Sequence, residues 1–444
     1  MKAITERTEA EKSLIQYFEQ FSAKLPGNNT VKNIRKSAIA RFSQLGLPHS
    51  QIEEWKYTDL RSIITHTFAP PEQEQATLDA FKLDLQLNHA INIDATRLTF
   101  VNGQFDSILS DKADLDNFDF KPINLALKEQ NFSNAQKKVY TSLNNDPIGV
   151  LNTAFMSDGA LLNLKSSPTK PIHIVHVTTG NRPAAVTTRN IVYFGKGVKV
   201  TLIESFITIG SQPTQVNSLT QLFIAPNAEV NHIKIQRESE ASTHLSKWLV
   251  NLGAKSSYKG FQYSQGAELS RNEINVNFKG ANAVADVSGI TLLHGTQHCD
   301  TTMVIDHSEP GCESRELFKF ILDDCSRGIF QGKIIVNSRA QKTDGKQTAQ
   351  ALLLSSSSDF NSKPELEIYA DDVTCGHGST CTQIDPELVF YCRSRGIPEA
   401  EARALLMESF AANALEKVVD ESISETIIKE IRDWFVELTT CKEH

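Results

Sequence analysis

Five short segments of this chain open in the same way, and their spacing constrains its fold more than any other feature. Gly197-Val198, Asn227-Ala228, Gly253-Ala254, Gly266-Ala267 and Gly280-Ala281 each set a turn-former and a small residue before an alternating, β-type stretch. The steps between them are about 30, 26, 13 and 14 residues, near multiples of one length. Short strands with quasi-regular glycine corners suggest a solenoid, and right-handed parallel β-helices are its commonest β form. Gly and Asn supply the bend or positive φ that a corner needs. Alternation then lets one side chain in two fill the lumen. An antiparallel sandwich also carries many short strands and is the rival architecture.

The β-type region runs from about Asp158 to Ala370, with segments such as Ile172–Val177, Ile191–Phe194, Val198–Phe206, Leu222–Ile224 and Val230–Ile235. Before it the pattern is helical. Leu14, Tyr17, Phe18, Phe21 and Leu25 recur at three- and four-residue steps from Glu9 to Leu25, where Pro26-Gly27 ends the run. A second helix is predicted from Thr30 to Leu45, a hairpin turning at Asn102-Gly103 within Ala95–Phe105, and more helix from Asn124 to about Phe155. In Glu54-Trp55-Lys56-Tyr57-Thr58 the two aromatics read as packing anchors. The tail returns to helix after Pro398, with Leu406, Phe410 and Ala414 on one face and Leu405 beside it. A last helix, about Ser422 to Leu438, carries Ile423, Ile427, Ile431, Trp434 and Phe435. Helices this apolar pack on something, first of all the core of the same chain.

Composition removes several function classes. With 444 residues and 40% hydrophobic content the chain can bury a large core. A formal net charge of -8 and the lack of a dense basic run argue against nucleic-acid binding. No apolar stretch approaches the roughly 20 residues that span a bilayer. Met1 to Gln20 is rich in Glu and has no apolar region of the signal-peptide kind, so a cytoplasmic location is expected. All seven cysteines lie at or after Cys299, an odd number that points to reduced thiols rather than a disulfide framework. Cys325, Cys392 and Cys441 read as ordinary small core residues.

The chain has no phosphate-binding G-x-x-x-x-G-K-[ST] loop (Gly345-Lys346-Gln347-Thr348 fails the pattern), so no nucleotide is expected to bind it. It also lacks H-E-x-x-H, C-x-x-C and G-x-S-x-G, which lowers the case for an enzyme. What remains is a run of soft-metal ligand types, Asp371-Asp372-Val373-Thr374-Cys375-Gly376-His377-Gly378-Ser379-Thr380-Cys381. If this stretch is extended, Cys375 and His377 project to the same face, and a thiolate beside an imidazole suits iron, zinc or an iron–sulfur cluster. Two or three ligands do not close a four-coordinate site, so the alternative is a satisfied histidine at the end of a solenoid. His294, His298, Cys299, His307 and Cys312 form a second group, read mostly as strand and loop residues. The pairs Asp323-Asp324 and Asp371-Asp372 would suit a β-helix enzyme acting on polysaccharides, the rival functional class. A stand-alone metal-binding protein is another.

The run Lys363-Pro364-Glu365-Leu366-Glu367-Ile368-Tyr369-Ala370-Asp371-Asp372-Val373, continuing to Cys375 and His377-Gly378, resembles the signature of the SufB/SufD family of iron–sulfur cluster assembly subunits, SufD type. Gly328-Ile329-Phe330-Gln331-Gly332-Lys333, Ala340-Gln341-Lys342-Thr343-Asp344 and the stretch from Phe390-Tyr391 through Arg393-Ser394-Arg395-Gly396-Ile397 agree with it, as does Glu54-Trp55-Lys56-Tyr57-Thr58 near the start. The resemblance covers nearly the whole chain. It implies a mainly β fold, a right-handed parallel β-helix core over residues 156–384 between an N-terminal mainly helical region (1–155) and a C-terminal helical domain (385–444). It also implies a non-catalytic scaffold in a complex with a SufB-like paralogue and two copies of a SufC-like ATPase, the tail helices docking on the ATPase through Leu405, Leu406 and Phe410. A transient iron–sulfur cluster would form between the SufB-like and SufD-like subunits, with His377 at the position of a proposed ligand, Cys375 next, and the essential cysteine in the SufB-like partner. The resemblance allows a homodimer when the partner is absent and leaves flavin binding to the complex open. The chain departs from the family where Cys381-Thr382 stands for the usual Val-Gly pair, where Cys392 stands for Leu, and where Gln350-Ala351-Leu352-Leu353-Leu354 lacks asparagines often found before its leucines. Cys381 reads as a conservative core exchange first and a supplementary ligand second.

Overall fold

The strand-forming stretches wind into a parallel β-solenoid. A computed structural model describes residues 6–71, 94–111, 119–129, 139–180, 182–418 and 420–442. Among these residues, strands alternate along the chain between two sheets, one of ten and one of nine strands. Within each sheet the neighbours from Ala160 onward are parallel and in register, which excludes the antiparallel sandwich. Successive coils advance by steps such as Lys199 to Glu229, Ser257, Val284, Glu313, Asp344 and Thr374.

One corner sets this step. Gly197, Asn227, Lys255, Asn282, Gly311 and Lys342 all have φ between 56° and 70°. Each donates its backbone N–H to the carbonyl of the coil above, from Gly197 to Pro226 (3.1 Å) through Lys255 to Ala281 (2.9 Å) to Lys342 to Asp372 (2.6 Å). The left-handed conformation turns the chain and points the donor along the solenoid axis at once. Gly197 and Asn227 are thus true corner residues, whereas Gly253 and Gly280 lie two places ahead of theirs. Gly280 is required by close approach: a Cβ there would lie 2.2 Å from the Ala254 nitrogen. Gly266-Ala267 belongs to the opposite corner, which explains the half-length steps of 13 and 14 residues.

Register fixes continuous interior rows. Val192, Leu222, Val250, Val276, Ile305 and Ile334 stack in one, all essentially inaccessible to solvent. The two ends differ. At the start, Thr96–Val101 and Gln104–Asp106 form the expected hairpin around Asn102 and Gly103, both at positive φ, and Asp119–Pro122 closes the other sheet antiparallel to Ala160–Leu164. At the far end the last strands are Asp359–Ile368 and Thr374–Gln383, so the solenoid continues past Ala370.

Helices cover the outside. The first two lie where predicted, α1 (Glu9–Phe21) behind a Thr8/Glu11 capping box, though it ends a turn short of Leu25, and α2 (Asn29–Leu45) behind Asn28. After the single turn of α3 (Leu60–Ile63), the further helix expected from Asn124 to about Phe155 comes in short pieces, α4 (Ile123–Ala126), residues 139–141 and α5 (Pro147–Phe155), with 130–138 outside the described residues. The break is local chemistry, because Asp146 caps and Pro147 opens a new helix. Trp55 is buried against the Arg271 guanidinium, 3.7 Å from its ring centre. The tail forms α6 (Pro386–Ser394), α7 (Glu399–Leu415) and α8 (Glu421–Lys442). Ile423, Ile427, Ile431, Trp434 and Phe435 of α8 and Met407 and Ala411 of α7 share one core with Ile233, Phe261, Tyr263 and Ile290 of the solenoid. The apolar tail therefore packs on its own chain.

The corner ladder predicts opposite outcomes at one exposed position. Lys255→Val, β-branched in a left-handed conformation, is expected to cost about 1–2 kcal/mol of unfolding free energy. Lys255→Gly should be neutral or stabilising by up to about 1 kcal/mol. Urea unfolding midpoints of the two variants check both.

Candidate functional site

The site lies where the coils stop. Thr374–Gln383 is the last strand of the ten-stranded sheet and, among the described residues, pairs on one side only, with Asp344–Leu353. In that pairing Cys375 stands over Gly345, His377 over Gln347, Ser379 over Ala349 and Cys381 over Ala351. Gln347, Ala349 and Ala351 are buried, and the two alanines belong to the solenoid core. Cys375, His377, Ser379 and Cys381 therefore continue interior rows, with no further coil of the described residues above them. Cys375 is half-buried against that core, while His377 and Cys381 are exposed. The same-face relation expected of Cys375 and His377 holds, and Cys381 shares it. Gly376 and Gly378 open space on either side of His377, since a Cβ at either would meet nothing within 4 Å.

The two edges of the last coil differ in chemistry. Asp359–Ile368 carries Asp359, Lys363, Pro364, Glu365 and Glu367. Charges and proline are devices that prevent an edge strand from pairing. Thr374–Gln383, reading TCGHGSTCTQ, has none of them. Beside it Tyr369 is 63% exposed. Burial raises the thiol pKa of Cys375, despite a lowering hydrogen bond from the Gly345 backbone, and nearby Asp344 adds to the rise. Burial likewise raises Cys381, helped by Asp359. Both thiols are thus protonated at neutral pH, and capture of a metal ion by either releases a proton. Among the described residues no three His, Cys, Asp or Glu side chains are grouped to hold a metal ion.

Two coils below His377, in the same row, lies Glu316, 3% exposed. Burial pushes its carboxyl up to about 8, against smaller opposing influences of Ser314 and Arg315. The sequence reading passed over it. It also passed over a wider polar network inside the solenoid: Glu204 accepts from Thr220 (2.6 Å) and Asn190 (2.7 Å) and meets His232 at 2.7 Å, while Lys234 donates to Ser246 and Asn272, both at 2.6 Å. Burial opposes ionisation of Glu204, yet the His232 contact and the Thr220 hydroxyl bring it down to about 2. A charged residue inside an apolar strand, as in Leu202-Ile203-Glu204-Ser205-Phe206, was the available signal.

The second ligand-type group is scattered. His294 meets Glu240 at 3.1 Å and Trp434 edge-on, and His298 shares a 3.0 Å contact with Thr58. His307 bonds Ser314 at 3.0 Å, and Cys299 and Cys312 are buried. Burial holds His298 and His307 neutral, both lowered to about 4. The aspartate pairs are corner residues: Asp324 accepts from the Gly295 N–H, and Asp372 lies at the corner reached by Lys342. Cys325 is exposed and Cys392 half-buried, so neither is the core residue expected, and the side chain of Cys441 lies outside the described residues.

On the tail, Leu405 is exposed and Leu406 half-buried. Phe410 is half-buried against the solenoid, with the Lys319 ammonium 4.4 Å from its ring centre. Next to Leu405's helix, α6 exposes Leu388, Phe390 and Tyr391, residues the sequence reading did not select as a surface.

The family profile described as SUF system FeS cluster assembly, SufBD core domain, matches residues 176–410, and that of the SufBD protein N-terminal region matches 8–171. The chain is 30% identical over 437 residues to an iron–sulfur cluster assembly SufBD family protein of Synechocystis, covering 93% of both chains. It is 29% identical over 403 residues to the iron–sulfur cluster assembly protein SufD of Escherichia coli, covering 88% of this chain and 90% of that one. A chloroplastic protein of Arabidopsis thaliana, ABCI7, is 25% identical over 421 residues, 92% and 86% of the two chains. No helix among the described residues is long and apolar enough to cross a membrane.

Glu316 generates a pH prediction. Its native carboxyl holds a proton up to about pH 8, while the unfolded carboxyl loses it near 4.5, so its contribution makes stability fall as pH rises between those values. Glu316→Gln removes that contribution. Between pH 5 and pH 8 the unfolding free energy of the variant should fall by less than that of the wild type, the gap being on the order of a few kcal/mol. Chemical denaturation at the two pH values reads it.

Proposed function

The chain belongs to the SufBD family of iron–sulfur cluster assembly proteins, and on that premise we propose that it is a non-catalytic scaffold subunit of SufD type. In this reading the charge-free edge strand Thr374–Gln383 joins a SufB-like paralogue, with Cys375, His377 and Cys381 on the face that meets it. That edge is the observation that carries the reading, because an unguarded edge row of N–H and C=O groups is a template for another strand. A second copy of this chain would use the same edge when the paralogue is absent.

His377 supplies an imidazole nitrogen to the nascent iron–sulfur cluster, which is the cargo of the assembly. Cys375 and then Cys381 are the further candidates, each needing to lose a proton first. The partner supplies the remaining ligands, including the essential thiolate. A site whose ligands are divided between two chains can be opened when an ATPase partner moves one chain against the other, so nucleotide energy is spent outside this chain. The C-terminal helical domain, residues 385–444, docks that SufC-like ATPase through Leu405 and Leu406 together with the exposed α6 residues Leu388 and Tyr391. Phe410 supports this face from beneath. The cytoplasm is the compartment in this reading.

The test is co-purification of the chain with its SufB-like and SufC-like partners, wild type beside His377→Ala, followed by anaerobic cluster reconstitution read by absorbance. Both complexes should assemble, with cluster affinity lower by about tenfold or more in the variant. Normal reconstitution by His377→Ala would make the histidine structural, and a wild type that captures neither partner would sink the scaffold reading. A second variant, Tyr391→Asp with Leu405→Asp, should weaken ATPase capture by about 30-fold or more and leave the SufB-like partner bound. Pull-down with each partner separately reads this.

A further inference from the structure

A cavity of about 500 Å³ lies several coils from the open edge, between the N-terminal helices and the strands around Val186, Val216 and Leu245. Its size falls within the range of sites that enclose a small organic ligand, and its wall has the matching composition. Tyr17 and Phe21 of α1, Ile148, Leu151 and Phe155 of α5, and Phe68 make most of it apolar. No carboxylate side chain is among the described lining residues, although the chain as a whole has a formal net charge of -8. Two lysines are, Lys24 and Lys128, both exposed at their heads. Neither is in an ion pair among the described residues. Lys24 instead rests over the Phe21 ring at 5.5 Å.

Two polar atoms point to an occupant independently of the shape. Thr67 Oγ1 and Asn124 Oδ1 both belong to the lining, are cut off from solvent, and have no hydrogen-bond partner among the described residues. Other polar groups of the wall are satisfied within the chain: Gln215 donates to the His66 carbonyl at 2.7 Å, and Ser157 donates to the Gly103 carbonyl at 2.8 Å. A buried hydroxyl and a buried amide oxygen left unpaired are destabilising unless a ligand or water completes them.

We propose that this cavity binds an amphipathic organic anion, with an apolar body among the aromatic and aliphatic side chains and an acidic head between Lys24 and Lys128. The Thr67 hydroxyl donates to the acidic head, and a water held between ligand and wall donates to Asn124 Oδ1. The same chemistry describes a long-chain carboxylate and a planar aromatic sulfonate or phosphate. The site is independent of the cluster-assembly reading, since it shares no residue with the open edge or the tail helices.

The test titrates the full-length protein with 1-anilinonaphthalene-8-sulfonate, followed by fluorescence, and then adds oleate as competitor. One saturable site per chain is expected. Lys24→Glu with Lys128→Glu, both on exposed side chains, should weaken dye binding about tenfold. Leu151→Trp, which fills the cavity, should abolish it. Displacement by oleate assigns the site to acyl chains, and dye binding that oleate leaves unchanged assigns it to planar aromatics; both uphold the proposal. Binding that never saturates at one site, or equal affinity in wild type and the charge-reversed variant, overturns it. If Leu151→Trp fails to fold by circular dichroism, the charge-reversed variant decides alone.

Discussion

Everything in this molecule depends on each coil returning to the register of the one before. Side chains in a strand alternate between two faces, so a slip of one residue would move every interior side chain outward. The hydrophobic rows resist such a slip, and the corner ladder fixes it at a point. A left-handed residue in each coil donates to a carbonyl of the next, from Gly197 to Lys342. The residue type there varies among Gly, Asn and Lys while the conformation does not. The backbone geometry, and not the side chain, is the repeated element.

Strict register also explains how the interior tolerates charge. Glu204 comes from one sheet and its partners Asn190 and Thr220 from the other, while Lys234 reaches across in the same way to Ser246 and Asn272. These bonds tie the two sheets together through the lumen. Burying the groups is costly, and the bonds offset that cost only if the rows hold them in place. A network of this kind adds little net stability, but it disfavours alternative pairings that would leave a carboxylate or ammonium unsatisfied.

What could be read from the sequence follows the range of the physics involved. α1, α2, α8 and the Asn102-Gly103 hairpin rest on periodicity and turn chemistry within about a dozen residues, and all were legible. The solenoid was legible through its corners, although the reading merged two corners into one series because Gly266 and Gly280 look alike in sequence. One is at a left-handed position and the other is forced by a neighbouring coil's backbone. The helix expected between Asn124 and Phe155 is present in short pieces, and Asp146-Pro147 starts the last of them. At the site, the shared face of Cys375 and His377 followed from strand parity. The interior Glu316, the burial of Phe410 against Lys319 and the exposure of α6 depend on contacts between distant segments, which no local pattern encodes.

The open end sharpens the difference between a fold that stops and one that is interrupted. At the first coils, short antiparallel strands and the N-terminal helices finish the sheets. At the last coil, one edge carries Pro364 and alternating charges, so it is protected against pairing, while the other carries only small, neutral or soft side chains. Had selection acted only to end the solenoid, both edges would need the same protection, since an unguarded ten-residue strand is an aggregation hazard. An edge left open on one sheet only is a directional feature: it admits a strand beside Thr374–Gln383 and refuses one beside Asp359–Ile368. A partner accepted there would extend the interior rows that end at Cys375, His377 and Cys381, so the strand that recruits the partner would also be the strand that presents the ligands. Assembly of the complex and assembly of the site would then be one event.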